Sequence, residues 1–131
     1  MKKTLIVSLL MLLSFSFSGC GTAQIKNVPS QSFDTSNNHM TNDDVFKAIK
    51  IAGITLGWVI KKVDDHTVEA TLRLRSHVAV VIIKHDLKNY SITYKSSSNL
   101  KYDAEDKSIH SNYNGWITNL DNAIQVQLSA L

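Results

Sequence analysis

Cysteine, proline and glycine are scarce in this chain: one, one and five residues in 131. A single cysteine, Cys20, excludes any intramolecular disulfide, so even in an oxidising compartment stability must come from an ordinary core. The few glycines form no phosphate-cradling loop and no Gly-x-Ser-x-Gly nucleophile elbow. The longest largely apolar stretch, Leu5 to Phe17, has 13 residues, against the ~20 that a spanning helix requires. A large charge of one sign is missing too. The formal net charge of +3 falls to +1 without Lys2 and Lys3, so the basic pI is partly a property of the first residues and gives no support to nucleic-acid binding.

What is present at the start has the form of an export signal. Lys2 and Lys3 precede the short apolar stretch, as the charged and apolar regions of a secretory leader do. Phe17-Ser18-Gly19-Cys20 then resembles the lipobox of bacterial lipoproteins, with small residues before a cysteine and Phe17 in place of the usual leucine. That resemblance implies a diacylglycerol thioether on Cys20, cleavage before it and acylation of the new amino terminus. Two or more chains anchor stably where one does not. Gly21 stands where, by analogy with enteric bacteria, an aspartate would retain the protein at the inner membrane, so the expected location is the outer membrane with the domain facing the periplasm.

The expected divisions are a signal peptide over 1–19, a lipidated cysteine and flexible tether over 20–40, and one domain over 41–131. Residues 21–40 are rich in Ser, Thr, Asn and Gln and show no sustained periodicity. As a random coil this length reaches about 25 Å. Thr41-Asn42-Asp43-Asp44 reads as a helix start, with Val45, Ile49, Ala52 and Leu56 at helical spacing and Gly57 as the stop. Strands follow over 58–63, 68–75, 78–83 and 90–95. In the second, Val68, Ala70, Leu72 and Leu74 alternate with Glu69, Thr71, Arg73 and Arg75, the pattern of one buried and one wet face. Residues 78–83 (VAVVII) are apolar on both parities and read as a central strand. Residues 96–107 form a polar connection in which Leu100 and Tyr102 are candidate anchors. Tyr113, Trp116, Ile117, Leu120, Ala123, Ile124 and Leu128 then mark a closing helix capped by Ser111 or Asn112. The expected fold is α+β, a two-layer sandwich ordered helix, four-stranded antiparallel meander, helix.

The succession Trp58, Arg73/Arg75–His77, VAVVI, Tyr90-Ser91-Ile92-x-Tyr94, Ser98-Asn99-Leu100 and Ile109-His110-x-Asn112-Tyr113-Asn114-x-Trp116-Ile117 resembles a family of small Gram-negative lipoproteins. The resemblance implies fold and location, and brings no chemistry with it.

Five histidines raise the question of metal. His77 and His85, if on one strand, are about 26 Å apart, and no histidine pair has the spacing of a zinc site. Asp103, Glu105 and Asp106 lack the glycine and glutamate of a calcium loop. No metal, cofactor or catalytic residue is expected. Two groups remain as candidate ligand sites. Arg73 and Arg75 on the wet face, with His77 at the turn, suit phosphate or carboxylate, or else are solvated charges paired to Glu69. His110, Asn112, Asn114 and Trp116 open the last helix, where backbone N–H groups can hold an anion or the residues serve only as cap and core. The expected function is a non-enzymatic, lipid-anchored accessory or protein-interaction module. The alternative is a binder of an anionic envelope ligand, lipid phosphate or peptidoglycan component, through the Arg73/Arg75 face.

Overall fold

The computed structural model describes residues 21–131; the leader and Cys20 lie outside the described residues. In chain order the elements are β1 (Thr22–Gln24), β2 (Val28–Ser32), α1 (Asn42–Thr55), β3 (Trp58–Asp64), β4 (Thr67–Leu74), β5 (His77–His85), β6 (Asn89–Ser98), β7 (Ser108–His110) and α2 (Ser111–Leu128). The fold is α+β in two layers, a sheet with two helices on one face.

α1 begins where Thr41 and Asp44 satisfy each other's main chain. Thr41 Oγ1 accepts from the Asp44 amide at 3.3 Å and Asp44 Oδ2 accepts from the Thr41 amide at 2.9 Å, a capping box. Those hydrogen bonds from Thr41 hold the Asp44 carboxyl below its ordinary range. The helix ends as Gly57 takes φ +85, with its amide donating to Ile54 O. Gly53 inside the helix allows a close approach: a methyl there would lie 2.4 Å from Ile60 Cδ1 of β3.

The meander β3–β4–β5–β6 is present with β5 at its centre, and the order of the main sheet is β2-β6-β5-β4-β3, antiparallel throughout. One parity of each strand faces the helices. Val68, Ala70 and Leu72 of β4, Ala79, Val81 and Ile83 of β5, and Tyr90 and Ile92 of β6 meet Val45, Ile49 and Ala52 of α1 and Tyr113, Ile117, Leu120 and Ile124 of α2. Each fully buried large side chain there contributes on the order of 1.5–3 kcal/mol. Leu100 is buried as an anchor, whereas Tyr102 stays partly exposed and stacks on Tyr94 at 4.2 Å.

Two expectations are corrected. Residues 21–40 do not form a flexible tether: β1 pairs with β7, and β2 adds a fifth strand beside β6. Val28 enters the core, with Ile25, Phe33 and Met40 packed against it. These four anchors are irregularly spaced, and the partners of the intervening polar residues lie far along the chain, so no local period announces them. Second, His110 rather than Ser111 or Asn112 caps α2, its Nδ1 accepting from the Asn112 amide at 3.2 Å. The strand β7 runs into the helix without a linker, which puts its last residue at the cap.

Candidate functional site

The face of the main sheet opposite the helices is uncovered. It carries Val59, Lys61 and Val63 of β3, Thr67, Glu69, Thr71 and Arg73 of β4, Val78, Val80, Ile82 and Lys84 of β5, and Ser91 and Thr93 of β6, in rows fixed by the register. A sheet face in water is normally polar, yet β5 puts three aliphatic side chains at its centre. On the edge strand β3, Val59 and Val63 are 65% and 54% exposed. Lys95 binds Glu69 at 2.5 Å, and that hydrogen bond lowers the Glu69 pKa. Lys61, Arg73 and Lys84 are in no ion pair among the described residues, so the rim is positive.

The first expected constellation does not assemble. Arg73 lies on this open face opposite Val78, but Leu74 pairs with His77, which puts His77 on the helix side of the sheet. Arg75 has left the strand: it and Ser76 form a two-residue loop, with Arg75 at φ +56. A positive φ at the first loop residue suits the twist of a tight hairpin, and Arg75 is outside the strand alternation that places Arg73. Alternation along one strand cannot show where the strand ends.

His77 instead joins the second group. Its ring lies 6.0 Å from His110 and 6.3 Å from Trp116. His77 Nδ1 donates to Asn99 O at 2.6 Å, and Asn99 Nδ2 donates to Ser76 Oγ at 2.7 Å. Both histidine rings thus have main-chain partners at Nδ1. Asn112 is exposed. Asn114 is elsewhere engaged: Oδ1 accepts from the Lys26 amide at 2.8 Å, and Nδ2 donates to Gln24 O at 2.8 Å. Its work is to hold the chain between β1 and β2. Lys26 Nζ adds a bond to Thr118 Oγ1 at 2.9 Å.

Sequence reasoning did not single out the opposite end of the sheet. There a shallow depression of about 680 Å³ lies between two hairpin loops, with Asp64, His66, Lys84, His85 and Tyr90 among its lining. His66 Nδ1 donates to His85 O at 3.0 Å. His85 is buried, neither ring nitrogen has a partner, and that burial lowers its pKa. Asp86 Oδ1 accepts from the Lys88 and Asn89 amides, which lower its pKa and shape the loop. Asp103 Oδ1 likewise accepts from the Glu105 and Asp106 amides and shapes its own loop. Among the described residues no three His, Cys, Asp or Glu side chains are placed to hold one metal ion. Neither the strand alternation around Tyr90 nor the helical spacing around Asp121 signals their contact, which spans 31 residues.

The arrangement defines a small α+β domain with one aliphatic, positively rimmed open face and a cluster of histidine and tryptophan at the start of α2. No protein-family model, no curated protein and no solved structure matches the chain.

Proposed function

We propose that this protein is a lipid-anchored, non-enzymatic interaction module of the Gram-negative envelope, held by acyl chains on Cys20 and facing the periplasm from the outer membrane. The open sheet face is its contact surface, and the partner is a protein with an apolar patch bordered by acidic groups. The single observation that carries this reading is the row of Val78, Val80 and Ile82 on the helix-free side of the central strand. Aliphatic side chains there gain by being covered, and Lys61, Arg73 and Lys84 around them favour an acidic partner. Support for the anchor comes from the leader and the residues around Cys20. No described helix is long and apolar enough to cross a membrane.

The test is photo-crosslinking in intact envelopes from a probe at Thr71, with the adduct identified by mass spectrometry. One acidic protein should recur, and it should be lost with Ile82→Lys while Val126→Lys, on the far layer, leaves it in place. Adducts that ignore Ile82→Lys, with circular dichroism unchanged, would remove the open face from the function.

A further inference from the structure

The expected tether reached about 25 Å, but the structure leaves almost none of it free. The amide of Ser111 donates to Gly21 O at 3.1 Å, and Thr22 is already paired with His110. Asn114 then clamps Gln24 and Lys26. Cys20 is the residue before Gly21, and adjacent Cα atoms are ~3.8 Å apart. An anchor on Cys20 therefore holds the start of α2 against the lipid surface rather than tens of ångströms above it.

The same end gathers the groups suited to that surface. Asn112 follows Ser111. Lys101 follows Leu100, whose carbonyl accepts from the His110 amide at 2.7 Å. Arg75 sits in the loop that Asn99 ties down through Ser76. Trp116 packs beside His77 and is half-buried, while Arg75, Lys101 and Asn112 are exposed. Arginine and lysine near a lipid surface are drawn to anionic headgroups, and tryptophan favours the same depth. The acidic loop holding Asp103 and Asp106 is joined to the other end of β1, through Gln24 and Ile25.

We propose that the end of the domain presenting Arg75, Lys101, Asn112 and Trp116 around the chain's exit toward Cys20 is a seat for phospholipid headgroups. The inference rests on the lipid-anchor reading. It fixes the domain's orientation: α2 leads away from the membrane, with Val126 about 21 Å along the helix from Asn112.

The experiment uses the acylated full-length product in vesicles of phosphatidylethanolamine and phosphatidylglycerol, with a nitroxide at Asn112→Cys or Val126→Cys. An acylated Cys20 has no thiol to label, and mass spectrometry of Cys20 comes first. The label at 112 should be several-fold less accessible to a water-soluble relaxation agent than the label at 126, and Arg75→Glu should reduce that protection. An unacylated Cys20 overturns the anchor and the seat together. Acylation with equal accessibility at both sites, or protection indifferent to Arg75→Glu, overturns the seat and leaves the anchor standing.

Discussion

Asn114 holds the main chain on both sides of Ile25, accepting from the Lys26 amide and donating to the Gln24 carbonyl, each at 2.8 Å. One side-chain amide thus pins the main chain on either side of Ile25, whose own amide donates to Lys107 O. A polar stretch that reads as linker becomes part of the domain.

Asn114→Ala should accordingly cost about 1–3 kcal/mol, the range for losing hydrogen bonds whose partners stay partly buried. Urea unfolding gives the global loss, and hydrogen exchange should show the Lys26 amide exchanging much faster while the β4–β5 ladder is unaffected. Unchanged exchange at Lys26 would mean that the clamp contributes nothing.

Two buried tyrosines should respond in opposite directions to loss of the hydroxyl. Tyr90 donates to Asp121 Oδ1 at 2.5 Å, whereas Tyr113 is buried with no partner for its hydroxyl. Burial raises both pKa values, and at Tyr90 the Asp121 hydrogen bond adds to it. Tyr90→Phe should destabilise by about 1.5–3 kcal/mol, as for a hydrogen bond to a charged group, while Tyr113→Phe should be neutral or gain about 1 kcal/mol. Urea midpoints at unchanged m-values decide this; equal losses in both variants would refute the assignment.

His85 should make the fold sensitive to mild acid. Burial lowers its pKa from 6.5, and the charges of His66 and Lys62 nearby act in the same direction against Asp86 and Asp64. The unfolded chain therefore binds a proton that the native state refuses. Stability from this group is complete above 6.5 and falls as the pH drops from there toward the depressed native value. The lowered aspartates act nearer 3.8 and leave this window clear. His85→Leu should flatten the fall in melting temperature just below pH 6.5 relative to the parent chain. An identical slope in both would show that the ring is already solvated.

The local signals in the sequence were sufficient wherever a residue's neighbours along the chain decide its environment. The helical spacing from Val45 to Leu56, the Thr41–Asp44 start and the stop at Gly57 give α1 almost residue by residue. Strict alternation gives β4, and the two-sided aliphatic run gives β5 its central place. The sequence by itself thus determined the two helices, the meander and the α+β class. It also placed Cys20 in its lipobox-like setting, which lies outside the described residues.

Tertiary structure alone decided what depends on contacts between distant residues. Asn114 meets Lys26 across 88 positions and Tyr90 meets Asp121 across 31, and neither pairing leaves a period in the chain. Arg73 and Arg75 share a parity, but the strand ends at Leu74 and Arg75 takes a positive φ in the loop, while His77 lies beside His110 and Trp116. Periodicity reports which side of an element a residue occupies. Where that element ends and what packs against it follow from hydrogen bonds and burial that close only when the whole chain has folded.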